Sequence, residues 1–167
     1  MGPILMNVAL VIKILALLAT ANGTPVVVKR IFGTRADRAI DGGRQLADGQ
    51  FVFGPSKTIR GFVLSIMVTA LIAGAMGIAL YAGVLIGLGA MAGDLGSSFV
   101  KRRLGLEPSS QATGLDQIPE SLLPCLLVSA LLPLTAGDIA VIVVLFFGGE
   151  IIFSRVLFWA GIRDHPY

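Results

Sequence analysis

Between Phe62 and Gly93 the chain contains no Asp, Glu, Lys, Arg or His. A run of this length exceeds the ~20 residues that an α-helix needs to cross the hydrocarbon core of a bilayer. Only 14% of the 167 residues are charged, against about 25% in an ordinary soluble domain. We therefore expect an all-α polytopic membrane protein that forms a single domain over residues 1–167.

The apolar segments predict about five transmembrane helices. The run from Phe62 to Met91 is long enough for two of them, with a turn near residues 78–82. The other three are expected at residues 3–21, 119–132 and 138–160. In the first, Ala19-Thr20-Ala21 resembles a signal-peptidase site, but Lys13 in the middle favours a spanning helix.

The basic residues predict the orientation in the cell membrane. Seven of the thirteen Lys and Arg residues lie between Lys29 and Arg60, and such a block normally stays cytoplasmic. Five crossings then place the long loop after helix 1 (22–61), a second loop after helix 3 (94–118) and the tail 163–167 on that side. The two opposite connections contain no Lys or Arg, which supports a multi-pass protein with its functional loops on the cytoplasmic side.

The stretch GDLGSSFVKRRLG, residues 93–105, places an acid, a hydroxyl and a base on one helical face. Asp94 and Lys101 are seven residues apart, and either Ser97 or Ser98 lies three or four residues after Asp94, so the three side chains share one face. An acid at membrane depth is costly and tends to mark a functional site. The alternative is that Asp94 is a solvated residue at a helix end and that Lys101, Arg102 and Arg103 are interfacial anchors.

The stretch GLDQIPESLLP, residues 114–124, returns to the membrane from the same side. Pro119 suits the first turn of a helix, which places Asp116 near the N-cap and Glu120 inside that turn. Both acids could simply complement the helix dipole. Together with Asp94 they could also coordinate Mg²⁺, which takes carboxylate oxygens and leaves positions for substrate phosphates.

The stretch FGPSKTIRG, residues 53–61, suits a polyanion near a helix N-terminus. Its candidate binding groups are Gly54, Ser56, Lys57, Thr58 and Arg60. Basic residues before a membrane helix also serve as topology determinants, and that alternative stays open. Upstream, Asn22 with Gly23 and Pro25 is expected to end the first helix, and Asp41 before two glycines is either a turn residue or a ligand.

Two charges are expected deep in the membrane. Lys13 and Glu150 lie at similar depth by this helix placement and could pair. Alternatively, Lys13 snorkels to the interface and Glu150 joins Arg155. The single histidine, His165, is expected to be a tail residue rather than a catalyst.

These stretches, taken in order, resemble the CDP-archaeol synthase family. The resemblance rests on ANGTP, the DGG and FGPSKTIRG stretch, GDLGSSFVKRRLG, GLDQIPESLLP and the tail IRDHPY. That family is related to the phosphatidate cytidylyltransferases, whose signature is matched by Gly93-Asp94, Ser98, Lys101-Arg102 and Leu115-Asp116. The larger family has a second Asp three residues after the first, whereas here the next acid is Glu120, four residues on.

The resemblance implies a CTP:lipid-phosphate cytidylyltransferase that depends on Mg²⁺. It implies catalytic roles for Lys57, Asp94, Lys101 and Asp116, with the metal held by Asp94, Asp116 and Glu120. The nucleotide-binding residues would be Asn22, Asp41, Gly54, Ser56, Thr58, Arg60, Ser98 and Arg102. The ionised oxygen of the lipid phosphate attacks the α-phosphorus of CTP, so no catalytic base is needed and the cations offset the gathered negative charge.

The expected partners are CTP, a membrane lipid phosphate and the bilayer, and nucleic acid is not among them. The lipid could be an archaetidic-acid-like 2,3-di-O-geranylgeranylglyceryl phosphate or a related phosphatidic acid. The oligomeric state is open, with a homodimer among the options. The alternative function is a small non-enzymatic membrane transporter or scaffold, but a transporter should concentrate polar groups near the bilayer midplane.

Overall fold

The described part of the chain folds into five α-helices without a named strand. The computed structural model describes residues 7–33, 37–108, 110 and 112–159, apart from the side chains of Phe153 and Leu157. The tail stretch with His165 lies outside these residues. The helices are α1 (Val8–Phe32), α2 (Ile59–Ala75), α3 (Leu80–Arg103), α4 (Gln117–Val128) and α5 (Ala136–Trp159).

Three of the described helices are long and apolar enough to cross a membrane, namely α1, α3 and residues Ala136–Val156 of α5. Helices α2 and α4 are apolar but shorter. An all-helical membrane fold is therefore confirmed, and each helix overlaps one of the apolar segments in the sequence.

The first helix is longer than the sequence predicted. It continues through Asn22, Gly23 and Pro25 to Phe32, so the expected end of the helix at these residues was wrong. Proline has no backbone N–H, which leaves the carbonyl four residues earlier, that of Ala21, without its helical donor. The buried hydroxyl of Ser65 in α2 donates to this carbonyl at 2.6 Å and replaces the missing bond.

Consecutive helices run antiparallel. Ser65 contacts Ala21, and further along α2 the carbonyl of Met76 accepts from Lys13. In α3, Cβ atoms at Gly83, Gly87, Gly89 and Gly93 would lie within 3 Å of backbone or side-chain atoms of α2 or α4, so these glycines allow the helices to pack closely. As a result the end of α1, the start of α2, the end of α3 and the start of α4 lie at one end of the bundle, here called the site end.

The first and last helices run parallel to each other. Asn7, directly before α1, lies close to Asp138 in the first turn of α5. Buried apolar residues of α1, α3, α4 and α5 then form one continuous core, which includes Ile14, Leu17, Ile86, Val128 and Ile142. Helix α5 therefore closes the bundle against α1.

The expected ion pair between Lys13 and Glu150 does not match this geometry. Counted from the Asn7–Asp138 contact, Lys13 lies six residues along α1 and Glu150 twelve residues along α5, which at 1.5 Å per residue separates them by about 9 Å along the bundle. The premise that they lie at similar depth was wrong. The Lys13 ammonium instead donates to the Met76 carbonyl at 2.6 Å, at the C-terminal end of α2, where a cation complements the helix dipole.

Candidate functional site

The loop between α1 and α2 is held in shape by Asp41. Its carboxylate accepts hydrogen bonds from the backbone amides of Gly43, Phe53 and Gly54, each at 2.9 Å. Partial burial by itself would raise the pKa of Asp41, because it disfavours the charged carboxylate. The hydrogen bonds from these amides together have the larger effect, and the pKa of Asp41 is lowered. Asp41 therefore has the turn role that the sequence allowed, and the structure gives it no direct contact with the acids of the site.

The same loop places Lys57 next to α2. An isolated β-bridge joins Ala39 to Thr58, and the amide of Ile40 donates to the Lys57 carbonyl at 2.8 Å. Thr58 is the N-cap of α2, and its hydroxyl accepts from the amide of Gly61 at 3.2 Å. Lys57 is thus held between an ordered loop and a capped helix.

Lys57 forms an ion pair with Asp94 of α3. Its ammonium lies 2.5 Å from Oδ1 of Asp94, and both side chains are less than a quarter exposed. Burial by itself would lower the pKa of Lys57, because it disfavours the charged ammonium. The negative charge and hydrogen bond of Asp94 have the opposite effect, and so do the charges of Glu120 and Asp116. Together they outweigh burial, and the pKa of Lys57 is raised. Three carboxylates from α3 and the start of α4 therefore act on one lysine.

A second ion pair joins α3 to α4. Lys101 is buried and its ammonium lies 2.7 Å from Oδ1 of Asp116, while it also donates to the Ser110 carbonyl at 2.9 Å. Asp116 is the N-cap residue of α4, and its other oxygen accepts from the amide of Ala112 at 3.0 Å. The sequence-based placement of Asp116 at the N-cap and of Glu120 in the first turn is confirmed.

Glu120 brings a further acid to the Lys57–Asp94 pair. It is 5% exposed, and its carboxyl group lies close to that of Asp94. Gly93 makes this contact possible, since a Cβ at this position would lie 2.5 Å from the Pro119 carbonyl and 2.7 Å from the Glu120 amide nitrogen. The absence of one side chain on α3 therefore lets the first turn of α4 approach Asp94.

The acidic side chains suit a divalent cation that is shared with a substrate. Two carboxyl groups in contact repel each other unless a proton or a cation lies between them, and Asp94 and Glu120 are such a pair. No group of three or more Asp, Glu, His or Cys residues in the described ranges could hold a metal by itself. Mg²⁺ is often bound by one or two carboxylates together with phosphate oxygens, and this donor set fits that mode.

Arg102 supplies unused hydrogen-bond donors close to these pairs. It is only 2% exposed, and its Nη2 donates to the Glu107 carbonyl at 2.6 Å. Its Nε and Nη1 have no hydrogen-bond partner among the described residues. A Cβ on Gly54, which has a φ of +103°, would lie 3.9 Å from that Nη1. A buried guanidinium with free N–H groups is suited to bind an anion.

Other residues predicted for the site lie differently. Arg60 donates to the Gly33 carbonyl at 2.9 Å and to Asp37 at 3.3 Å, which turns it toward the end of α1. Asn22 donates to the Leu18 carbonyl of its own helix and lines a separate cavity between α1 and α5. Ser98 is buried on α3, and its neighbour Ser97 donates to the Asp94 carbonyl at 3.0 Å.

A cavity of about 110 Å³ lies beside the Lys57–Asp94 pair. It is lined by residues of the loop, by the start of α2 and by α3, including Ser56, Thr58 and Leu95. Lys29 and Asp37 also line it, although the sequence analysis gave them no role. Because α1 was expected to end near Pro25, nothing in the sequence indicated that Lys29 is carried on a helix to this cavity.

A family model described as CarS-like CDP-archaeol synthase matches residues 5–167. The chain belongs to the CDP-archaeol synthase family. Among relatives named CDP-archaeol synthase, that of Thermofilum pendens is 33% identical over 88% of this chain and 75% of its own length. That of Hyperthermus butylicus is 44% identical over 59% of each chain, and that of Methanopyrus kandleri is 41% identical over 48% of this chain and 50% of its own.

The chain spans about half to three-fifths of the length of several of these CDP-archaeol synthases. A solved structure described as an intramembrane enzyme for archaeal membrane lipids biosynthesis is also similar, with a TM-score of 0.65. It is 29% identical in sequence, and the similarity covers 81% of this chain and 89% of the other. The membrane fold and the family membership of this chain thus agree.

Proposed function

We propose that this chain transfers a cytidylyl group from CTP to a membrane lipid phosphate and releases pyrophosphate. The acceptor is an archaetidic-acid-like 2,3-di-O-geranylgeranylglyceryl phosphate or a related phosphatidic acid, and the product is a CDP-activated lipid for phospholipid synthesis. The observation that carries the proposal is the pairing of Lys57 with Asp94 and of Lys101 with Asp116 at one end of a membrane bundle. Membership of the CDP-archaeol synthase family supports the same reaction.

The reaction needs positioning and charge stabilisation more than proton transfer. An ionised oxygen of the lipid phosphate attacks the α-phosphorus of CTP, a new P–O bond forms, and the bond from that phosphorus to the bridging oxygen of the β-phosphate breaks. The electron pair leaves with pyrophosphate, so atoms and charge balance without a base. The obstacle is the approach of two anions, which positive groups in a partly dry site reduce.

The lysines and Arg102 have the charges that this step requires. Lys57 and Lys101 are mostly buried and form ion pairs with Asp94 and Asp116. An incoming triphosphate would replace these acids as the partner of the two ammonium groups. Arg102 has two nitrogens, Nε and Nη1, left to donate hydrogen bonds to a phosphate oxygen. We assign nucleotide contacts to Ser56 and Thr58 because they line the cavity beside Lys57, whereas Asp41 and Gly54 support the loop that forms it.

Mg²⁺ is the proposed cofactor. Asp94 and Glu120 would hold it, with Asp116 close by, because these carboxyl groups converge on Lys57. When bound, Mg²⁺ offsets phosphate charge and orients the triphosphate. The acids would bind the metal ion and, through it, the nucleotide. The lysines would bind the phosphate oxygens that the metal does not coordinate.

We also propose that all five helices cross the cell membrane and that the site end faces the cytoplasm. The block of basic residues from Lys29 to Arg60 supports this orientation. CTP would then reach the site from water, and the lipid phosphate would reach it from the inner leaflet.

A cytidylyltransferase assay tests the proposal. The purified full chain is mixed with CTP, Mg²⁺ and a panel of archaetidic and phosphatidic acids, and pyrophosphate and CDP-lipid are measured. We expect both products, lost on chelation of the metal and in Asp94→Asn and Asp116→Asn variants that remain folded. If folded wild-type protein forms neither product with any lipid, the proposed enzymatic function is wrong, and a transporter or scaffold is favoured.

A further inference from the structure

A second cavity, of about 280 Å³, lies between α1 and α5. Both helices are long and apolar enough to span a membrane. The volume is close to the lower end of the range for small-molecule pockets, which is about 300 Å³. The cavity is separate from the one beside Lys57, and the reaction described above assigns it no task.

The polar residues that line this cavity lie in its half nearer the site end, although the apolar Val26 also lines that half. Leu15, Ala19, Leu145 and Phe146 line it seven to eleven positions into their helices, whereas Asn22 and Glu150 line it at position fourteen. Ser154 continues the polar part on α5. Since both helices run toward the site end, the polar groups lie nearer to that end and the apolar walls lie deeper.

The polar end of the cavity is next to the proposed reaction site. Glu150 and Asp94 both lie close enough to Glu120 for their charges to interact with it. An acid at this depth of a membrane helix is costly and usually serves a site. The two cavities are thus joined by a short row of acidic side chains from α5, α4 and α3.

We propose that the α1–α5 cavity binds the glycerol backbone and the adjoining part of one hydrocarbon chain of the lipid phosphate acceptor. The inference rests on the proposed function and extends it by naming the lipid subsite. An amphiphile that enters from the site end has its polar part at the level of Asn22 and Glu150, and its chain lies along Leu15 and Phe146. Its phosphate then lies toward Glu120 and Asp94, where the nucleotide is expected.

Two neighbouring glycines of α5 provide a matched test. Gly149 lines the cavity and Gly148 does not, and a Cβ at either position would meet no atom within 4 Å. Gly149→Leu should fill the cavity, while Gly148→Leu adds the same side chain outside it. In the full chain we expect Gly149→Leu to raise the KM for a long-chain lipid phosphate at least about tenfold. The KM for CTP should stay unchanged, and Gly148→Leu should behave as wild type.

A binding measurement separates this inference from the reaction itself. A lipid phosphate with a diazirine in mid-chain is photolysed with wild-type protein without CTP, and the labelled peptides are identified. We expect labels near Leu15 and Leu145, lost in Gly149→Leu, even if no CDP-lipid is ever formed. Three outcomes would overturn the lipid subsite: equal KM values in the two leucine variants, labels elsewhere in the chain, or equal labelling by a phosphatidylcholine with the same diazirine. None of them would contradict the proposed cytidylyl transfer.

Discussion

The ammonium of Lys57 lies 2.5 Å from the carboxylate of Asp94, so the loop before α2 is tied directly to α3. The two residues are thirty-seven positions apart in the sequence. This pair joins the two stretches that the sequence analysis had singled out separately, and the acids of α4 converge on the same lysine.

Replacing either member of the Lys57–Asp94 pair should cost both stability and activity. Lys57→Met and Asp94→Asn each leave a partly buried group without its partner, which costs about 1–3 kcal/mol in free energy of unfolding. Turnover should fall at least about 100-fold. The double variant should lose less stability than the sum of the single losses, because the pair is broken only once. Fully additive losses, measured by unfolding in detergent, would contradict a coupled pair.

The Lys101–Asp116 pair should matter far more than the exposed pair next to it. Lys101→Met removes a buried cation from Asp116, and CDP-lipid formation should fall at least about 100-fold. Asp48→Asn is the control, since Asp48 is 45% exposed and pairs with Arg103, and surface pairs contribute only about 0–1 kcal/mol. If Asp48→Asn reduced the rate as much as Lys101→Met, the special role of the buried pair would be refuted.

The close contact at Gly93 predicts a sensitive position on α3. In Gly93→Ala the new methyl group would overlap the backbone of Pro119 and Glu120, which should cost about 1–3 kcal/mol and move Glu120 away from Asp94. Gly96→Ala is the matched control, because its Cβ would meet no atom within 4 Å and Ala favours a helix by about 0.5–1 kcal/mol. Thermal unfolding and turnover of both variants check this, and equal behaviour would rule out the packing argument.

The loop before α2 should loosen in acid because of Asp41. The pKa of Asp41 is lowered in the fold, so its stabilisation is complete above the ordinary value of 3.8 and is lost as pH falls below it. Hydrogen exchange of the Gly43, Phe53 and Gly54 amides, corrected for intrinsic rates, should quicken in that range. Asp41→Asn should exchange faster at neutral pH and show no such change on acidification; retained protection in this variant would mean that other contacts hold the loop.

Much of the fold was readable from local sequence. Apolar runs located the helices, and Asp116 and Glu120 were placed correctly because a helix start depends on neighbouring residues. The length of α1 was not readable, because the hydrogen bond that compensates for Pro25 comes from Ser65, forty positions later. Local signals favoured a break, and a contact between helices overrode them.

The site was predictable as a set of stretches but not as a set of contacts. The resemblance to the CDP-archaeol synthase family implied that Lys57, Asp94, Lys101 and Asp116 belong together, yet which cation meets which acid depends on helix packing. The Arg60 side chain contacts Asp37. Asn22 was expected in a loop, but it lies within α1 and lines the cavity between α1 and α5. Lys29 was missed for the same reason, since it depends on the continuation of α1.

The bond from Ser65 to the Ala21 carbonyl has an effect well beyond its own neighbourhood. Without that hydroxyl, a peptide oxygen would be left unsolvated at membrane depth, a cost of several kcal/mol, and α1 would bend at Pro25 to find another donor. The last two turns of the helix would then swing, and Lys29 would leave the wall of the cavity that it shares with Lys57. A serine in one helix thereby governs how far a neighbouring helix can extend its charge toward the cavity beside Lys57.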